Sequence, residues 1–290
     1  KLPYRLIGRT AHFDCADCGS NPRGKTKIKN MRIKFIEDGH KYLSEDDSIE
    51  YKSVSHVIHE LELKKDWDKI RKNYAKKNGG TAQEWKDKWE AKAKKSTEAG
   101  TILHEAEEDA LLAAGEYNEN GTTCKVVSTG KKSEVKYSFP LNTVQDNTVY
   151  PELMIYDHTY KICGQSDLVV IANGTIHIKD FKTDKAINRK AFSLPEKFIE
   201  PEKLLSPVSH LDNCNFNVYS LKMSLYMYML WKQNTHLKCG KITLIHKEIE
   251  RDAEELPVLY DGKPRVLRTT EIELPFLRKE VKEILKAHKK

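Results

Sequence analysis

The chain has 290 residues, of which 39% are hydrophobic and 32% charged, and its formal net charge is +7. This length accommodates one large domain, or a core domain with an added lobe, that buries a core without the help of disulfides. The positive charge favours a polyanionic partner, with nucleic acid first and an acidic membrane surface second, and no apolar run approaches the about 20 residues of a transmembrane helix.

The hydrophobic pattern separates an N-terminal arm, residues 1–30, from a single domain over residues 31–290. The arm is polar and basic, whereas the domain contains helical and strand periodicities. In chain order, the predicted elements are a hairpin over 32–43, helices from 53 to about 116 with breaks at 78–80 and near 96, a polar loop over 117–148, a β-meander over 150–183, a connecting loop with short helices over 185–212, an apolar helix over 215–232, a strand over 240–250 and an amphipathic helix over 276–289.

Positive charge is concentrated in a helical lobe over about 55–116. Residues 64–95 hold twelve Lys or Arg and five Asp or Glu, an excess that equals the net charge of the whole chain. Four aromatic residues are interleaved with these charges: Trp67, Tyr74, Trp85 and Trp89. One interpretation is a solvated helical pair whose aromatic rings face the core. The other is a phosphate-tracking lobe in which Lys72, Lys76 and Lys77 bind nucleic acid and an aromatic ring or two stacks on bases.

Six cysteines lie at irregular spacings, at positions 15, 18, 124, 163, 214 and 239. Such a pattern in a chain with a large core is typical of a reduced, intracellular protein, and the first residues lack the apolar stretch of a secretory signal. Cys15 and Cys18 have Cys-x-x-Cys spacing, which suits Zn²⁺ if two more ligands join them, such as His210 with Cys214, or Cys239. A Zn²⁺ site and a pair of unligated thiols are both open.

The segment from Asp167 to Lys182 is the most informative part of the chain. Asn173-Gly174 between two β-rich runs is typical of a two-residue type I′ turn. Counting back from that turn places Asp167 directly opposite Asp180, with Lys182 on the same face of the hairpin. We therefore expect the two carboxylates to be cross-strand neighbours.

Directly opposed residues have Cβ atoms about 4.5–5.5 Å apart, so two carboxylates placed in this way need a positive charge between them. A divalent cation with a preference for oxygen ligands, Mg²⁺ or Mn²⁺, is the natural occupant. Lys182 is then placed to stabilise charge on a phosphate or to help activate a water. The alternative is an exposed face with unrelated charges, but four apolar residues share this face and indicate burial: Val169, Ile171, Ile176 and Ile178.

Two further predictions extend this site. The hairpin register puts Gln165 opposite Lys182, and a tight turn centred on residues 158–159 would put Glu152 opposite Gln165, which makes a second polar row beside the two aspartates. In the helical segment after Gly100, His104 and Glu108 are four residues apart and share a face. His104 is either a structural histidine or a nitrogen ligand to the metal.

Together these residues resemble the PD-(D/E)XK nuclease superfamily, and most closely its branch of RecB-like, CRISPR-associated and mitochondrial genome maintenance exonucleases with their phage relatives. The resemblance covers about residues 35–250. The matching pieces are Gly100-Thr-x-x-His104-x-x-x-Glu108, Glu152, Gly164-x-x-Asp167, Ile178-Lys-Asp180-Phe-Lys182-Thr183, the helix that contains Lys222 and Tyr226, and the phage-like Gly39-His40-Lys-Tyr42 and Tyr51-Lys-Ser53-Val54. An Asp-x-Lys motif alone is weak, but its combination with the upstream pieces is specific.

The resemblance implies a restriction-endonuclease-like core, in which a central mixed β-sheet is flanked by helices and the basic helical lobe is added. The implied ligands of Mg²⁺ or Mn²⁺ are His104, Asp167, Asp180 and the Phe181 carbonyl. Glu108 is implied to lie behind these ligands without binding the metal itself. The implied catalytic residues are Glu152, Asp167, Asp180 and Lys182. Contacts to DNA are implied for Gln165, Lys222 and Tyr226. Lys222 departs from the branch, which usually has Gln at this position four residues before the Tyr.

The implied activity is that of a deoxyribonuclease of DNA repair, recombination or replication that hydrolyses phosphodiesters at DNA ends, with single strands favoured. A structure-specific endonuclease of the same fold and a non-catalytic nucleic-acid-binding protein are the alternatives, and the intact Asp167, Asp180 and Lys182 set argues against the latter. We expect an intracellular protein, in the host cytoplasm if it comes from a phage and in an organelle or the nucleus if it is eukaryotic. We expect no membrane partner, and the oligomeric state is open.

Overall fold

The candidate metal-binding and catalytic residues belong to a sheet and a long helix. The computed structural model describes residues 31–130, 135–194 and 200–289. In these ranges the strands are β1 (Ile33–Ile36), β2 (Lys41–Ser44), β3 (Glu50–Ser53), β4 (Glu116–Glu119), β5 (Thr122–Val126), β6 (Val135–Tyr137), β7 (Thr148–Asp157), β8 (Ile162–Ala172), β9 (Thr175–Lys182), β10 (Lys238–Ile249), β11 (Leu259–Tyr260), β12 (Lys263–Pro264) and β13 (Val266–Leu274). The helices there are α1 (Val54–His59), α2 (Trp67–Asn78), α3 (Ala82–Ala114), α4 (Asn215–Gln233) and α5 (Arg278–His288).

Within the described ranges, eleven of these strands form one mixed sheet. Its main order is β13-β10-β9-β8-β3-β2-β1-β6, while β7 pairs with β8 and connects β5 and β4 to the sheet. Three pairs are parallel, β9 with β10, β3 with β8 and β5 with β7. Apolar side chains of α4, such as Leu221 and Leu225, belong to the same buried cluster as Ile176 and Ile178 of β9. The predicted α/β class, with a mixed sheet flanked by helices, is confirmed.

The hairpin of β8 and β9 has the predicted turn and register. Asn173 and Gly174 have φ values of 51° and 68°, as a type I′ turn requires at both central positions. Ala172 pairs with Thr175, and the ladder continues to Leu168 and Lys179. The next residues along the two strands are Asp167 and Asp180, so the hairpin ends where the candidate site begins.

Helix α3 is one continuous helix, so the predicted break near residue 96 is wrong. It begins with a capping box between Thr81 and Glu84, and it ends at Gly115 in the left-handed conformation. Ser96 and Thr97 stand among the strong helix formers Ala, Lys and Glu, which sustain the helix through them. The predicted break at residues 78–80 is present, since Gly79 and Gly80 both have positive φ between α2 and α3.

Two predicted loops need correction. Residues 117–148 contain most of the β4–β5 hairpin, β6 and a short 3-10 helix at Leu141–Thr143. The hairpin turns at Asn120-Gly121, the same type of signal as the turn between β8 and β9. Residues 185–212 have no helix in the part of this stretch that the structure describes. None of the helices found in the described ranges has the length and apolar character needed to cross a membrane.

Candidate metal centre

Asp167 and the backbone of Phe181 connect the two strands at the end of the β8–β9 ladder. The Phe181 N–H donates a hydrogen bond of 2.7 Å to Asp167 Oδ2. Asp167 is 9% exposed, and Asp180 on the neighbouring strand is 1% exposed. Burial and the nearby Asp180 charge raise the pKa of Asp167. The structure therefore brings two carboxylates together in a buried place, as the register predicts.

His104 reaches this place from α3. Its Nδ1 lies 3.3 Å from Asp167 Oδ2, and its Nε2 lies 3.1 Å from the Phe181 carbonyl oxygen. Both oxygens are acceptors, and a neutral imidazole has only one N–H to donate. One of the two contacts of a neutral His104 therefore brings two lone pairs together, an arrangement that a cation would stabilise.

Glu152 of β7 is the third member of this group, although its predicted register is wrong. Asp157 pairs with Ile162, so the turn has four residues instead of two, and Met154 instead of Glu152 lies opposite Gln165. The Asp157 carboxylate causes this wider turn, because it accepts hydrogen bonds from the N–H groups of Thr159 and Tyr160.

A left-handed backbone at Glu152, with φ of 48°, interrupts pairing at its position, and Gln165 Nε2 donates a hydrogen bond to its carboxylate. Burial, together with the charge of Asp167, raises the pKa of Glu152 to about 7. A carboxyl group with so high a pKa is in a place that disfavours its negative charge. A bound cation would relieve that cost.

The ligand atoms of His104, Glu152 and Asp167 all lie within 4.8 Å of one another. One imidazole nitrogen with two carboxylates is a donor set that suits Mn²⁺ or Mg²⁺. The two acceptor oxygens that face the nitrogens of His104 and the raised pKa of Glu152 both fit a cation in this group. We call His104, Glu152 and Asp167 the metal triad.

Asp180, a predicted ligand, contacts two lysines. Lys182 forms an ion pair with its Oδ2, and Lys222 Nζ lies 3.8 Å from its Oδ1. In the described ranges, neither oxygen has a partner with hydrogen-bond geometry, so the two ammonium charges compensate the carboxylate as ion pairs. Burial alone would raise the pKa of Asp180, but Lys182 and Lys222 outweigh it and lower the pKa. Asp180 therefore adjoins the metal triad and keeps the lysines beside it.

Lys182 stands between the carboxylates and an open cleft. Its Nζ donates a hydrogen bond of 2.9 Å to the Phe181 carbonyl, the same oxygen that faces His104. The ammonium also lies 5.4 Å from the centre of the Tyr219 ring. Its side chain is 16% exposed, so the charge can meet a ligand in the cleft.

Lys222 and Tyr226 lie on α4, on the side of the site that faces the core. Burial would lower the pKa of Lys222, but the charges of Asp180, Asp167 and Glu152 raise it. Tyr226 is 2% exposed, which leaves its ring no surface for the predicted DNA contact in this conformation. It packs against Gly164, where an added Cβ would lie 2.6 Å from the Tyr226 hydroxyl.

The other predicted residues fall at different distances from the metal triad. Glu108 and Gln165 line the same cleft as His104. Lys72, Lys76 and Lys77 are exposed on α2, which precedes α3. The first residue of α3, Ala82, lies about 33 Å along that helix from His104, at about 1.5 Å per residue. The four lobe aromatics contact one another between α2 and α3, although Trp67 and Tyr74 remain 52% and 40% exposed. Cys15 and Cys18 lie outside the described residues.

Sequence reasoning missed Arg251 and the pair of Lys247 with Glu107. Lys247 of β10 forms an ion pair with Glu107, one turn after His104 on α3, and lies 5.2 Å from the Phe181 ring centre. Arg251 donates a hydrogen bond of 2.9 Å to the Thr183 carbonyl. The apolar strand predicted over 240–250 is a signal for the position of Arg251. If that strand runs parallel to β9, the residues that follow it lie at the same edge of the sheet as those that follow β9.

No protein-family model matches this chain, and a search of curated proteins finds none that is similar in sequence. Fold and site together define an α/β protein with a buried carboxylate pair, a histidine and two lysines at one sheet edge. The function is therefore argued from the geometry of these residues.

Proposed function

We propose that the protein is a Mg²⁺- or Mn²⁺-dependent deoxyribonuclease with a restriction-endonuclease-like core, which hydrolyses phosphodiester bonds at DNA ends and favours single strands. The single observation that supports this most is the position of Lys182 next to the metal triad. An ammonium group and a group of residues that could hold a cation thus lie side by side at the end of one hairpin. This combination promotes phosphodiester hydrolysis, because negative charge develops on the phosphate and both the cation and the ammonium group are positive.

The metal triad of His104, Glu152 and Asp167 would hold the ion, with the Phe181 carbonyl oxygen beside it. When bound, such an ion supplies a Lewis acid and lowers the pKa of a water. The Phe181 N–H keeps Asp167 Oδ2 in place, and the preformed β8–β9 hairpin orients Asp167 and Asp180 before a substrate arrives.

Lys182 is the residue that we assign to the phosphate. Its ammonium is held by Asp180 and by the Phe181 carbonyl, so it needs little reorganisation to meet a developing negative charge. The buried Asp180 also pairs with Lys222 of α4, whose charge offsets the negative charge of the carboxylates. Asp180 is in this scheme a residue that positions two cations, in place of the ligand role expected from the resemblance.

The test uses end-labelled linear single-stranded DNA and a closed single-stranded circle of the same sequence, each incubated with Mg²⁺, Mn²⁺ or EDTA. We expect the linear DNA to be degraded with either metal, the circle to survive and EDTA to stop the reaction. Cleavage of the circle would favour the endonuclease alternative. Cleavage that continues in EDTA, or DNA binding without cleavage under any metal condition, would contradict the proposal.

A further inference from the structure

Two clefts of opposite charge meet at His104. The basic cleft is lined by Lys92, Lys182, Lys185 and Arg251, with Asp184 as its acidic residue. The acidic cleft is lined by Glu37, Glu105, Glu108 and Glu152, with Lys136 as its cation. A polyanion that reaches the metal triad therefore meets attraction on one side of His104 and repulsion on the other.

The sheet topology and helix α3 together bring the cations of the basic cleft to one place. Lys185 comes three residues after Lys182, beyond the end of β9. Since β10 runs parallel to β9 with His246 beside Lys182, Arg251 lies beyond the same edge. Lys92 reaches the cleft from α3 and donates a hydrogen bond of 2.9 Å to the Glu254 carbonyl. Three separate segments thus bring positive charge to the Lys182 side of the site.

The guanidinium of Arg251 is held in place from behind. Nη2 donates to the Thr183 carbonyl at 2.9 Å, and Nη1 donates to the Glu255 carbonyl at 3.3 Å. These bonds use two of the five N–H donors of an arginine, a group whose planar fork matches phosphate oxygens. Lys185 pairs with the Glu255 carboxylate at 2.6 Å, but both side chains are about half exposed. An exposed pair of this kind is weak, so a phosphate can replace the glutamate.

We infer that the basic cleft binds the phosphodiester backbone of the substrate strand, with Lys185 and Arg251 contacting phosphates next to the one at Lys182, and that the acidic cleft stays free of backbone. This inference rests on the proposed function and adds the side of the metal triad on which the strand lies. Among the residues that line the basic cleft, four are positive and one, Asp184, is negative. The Asp184 carboxylate accepts a hydrogen bond of 2.6 Å from the Tyr219 hydroxyl.

The test measures binding of a labelled oligothymidine of about 20 nucleotides by fluorescence anisotropy, in EDTA, over a series of NaCl concentrations. The variants are Lys185→Gln, Arg251→Gln and the double variant. Lys136→Gln is the counterpart in the acidic cleft. Lys241→Gln is the distant control, because Lys241 is also exposed and also pairs with a glutamate, Glu273. Urea unfolding of each variant checks that the fold is retained.

We expect each single substitution in the basic cleft to weaken binding about 5-fold at about 0.1 M salt and to flatten the slope of log affinity against log salt by about 0.7. The double variant should flatten the slope by about 1.4, and Lys136→Gln and Lys241→Gln should leave it unchanged. A purely structural role of Arg251 would lower its stability without this change of slope.

Folded cleft variants with the wild-type slope would overturn the inference, and so would a slope that changes only in Lys136→Gln. Cleavage of the same oligonucleotide by the wild type in Mn²⁺ tests the proposed function separately from the placement of the strand. If the wild type binds and cleaves but the slopes do not move, only the placement of the strand is wrong. If it neither binds nor cleaves, the proposed function fails and the placement fails with it.

Discussion

The N–H of Phe181 donates a 2.7 Å hydrogen bond to the carboxylate of Asp167, which ties β9 to β8 beyond their last ladder pair. The carbonyl of the same residue faces His104 at 3.1 Å and Lys182 at 2.9 Å. The backbone of Phe181 therefore binds a carboxylate through its N–H group and contacts an imidazole and an ammonium group through its carbonyl. This relationship makes the site a continuation of the hairpin.

The raised pKa of Glu152 predicts how the stability of the metal-free protein depends on pH. Its pKa is about 7 in the folded protein against 4.5 for an ordinary glutamate, so between these values the folded state binds more protons than the unfolded state. The stabilising contribution of the protonated carboxyl is complete below about pH 4.5 and is lost as the pH rises to about 7. Urea unfolding in EDTA across this range should show this decline, and Glu152→Gln should reduce it.

The raised pKa of Asp167 acts in the same direction as that of Glu152, whereas the lowered pKa of Asp180 acts in the opposite direction below pH 4. Comparison of wild type with Glu152→Gln isolates the Glu152 contribution. Equal pH dependence in the two proteins would show that Glu152 keeps an ordinary pKa. Added Mn²⁺ should stabilise the wild type most at about pH 7 and above, where the carboxyl is ionised.

Lys222→Met should change stability and metal affinity in opposite directions. Loss of one of two cations beside the buried Asp180 should lower the free energy of unfolding in EDTA by about 1–3 kcal/mol, less than for a fully buried pair because Asp180 keeps Lys182. The site also becomes more negative, so Mn²⁺ should bind about tenfold more tightly in a calorimetric titration. Lys222→Arg retains the charge and serves as the control. A weaker Mn²⁺ affinity in Lys222→Met would instead mean that Lys222 organises the metal ligands.

The ion pair of Lys247 with Glu107 should hold α3, and with it His104, against the sheet. Lys247 is 8% exposed, so breaking the pair leaves a poorly solvated charge. A double-mutant cycle with Lys247→Met and Glu107→Gln should give a coupling free energy of about 1–3 kcal/mol in urea unfolding, reduced from fully buried cases because Glu107 is partly exposed. Each single variant should also weaken Mn²⁺ binding. A coupling near zero would reduce the pair to an ordinary surface contact.

Gly164→Ala should be destabilising because of Tyr226. The added Cβ would lie 2.6 Å from the Tyr226 hydroxyl and 2.8 Å from its Cε1, well inside normal contact distance. We expect a loss of about 1–3 kcal/mol in the free energy of unfolding, measured with urea. In a Tyr226→Phe background the nearest atom is gone and the loss should be smaller, though not zero. An equal loss in both backgrounds would locate the cause elsewhere.

Much of the hairpin could be predicted because its information is local. Asn173-Gly174 determines a turn, the turn determines a register, and the register brings Asp167 beside Asp180. Helical spacing likewise places Glu108 one turn after His104. The same rule indicates the β4–β5 hairpin, because Asn120-Gly121 is also a local turn signal.

Other features depend on contacts that no local pattern contains. Hydrogen bonds that the Asp157 carboxylate accepts from backbone N–H groups widen the β7–β8 turn, and the left-handed backbone at Glu152 directs its carboxylate towards His104 and Asp167. The ion pair of Lys222 with Asp180 needs α4 to pack against β9. The placement of Arg251 needs the parallel pairing of β9 with β10. Tertiary packing decides all of these.

The most direct test of the central claim is the single-turnover rate of cleavage of linear single-stranded DNA in Mn²⁺ by wild type, Lys182→Ala and the surface control Lys238→Ala. Mn²⁺ binding is measured in parallel, because the metal triad does not include Lys182. We expect Lys182→Ala to bind Mn²⁺ but to cleave at least about 100-fold more slowly, while Lys238→Ala cleaves like the wild type. Cleavage by Lys182→Ala at the wild-type rate would contradict the catalytic role of Lys182.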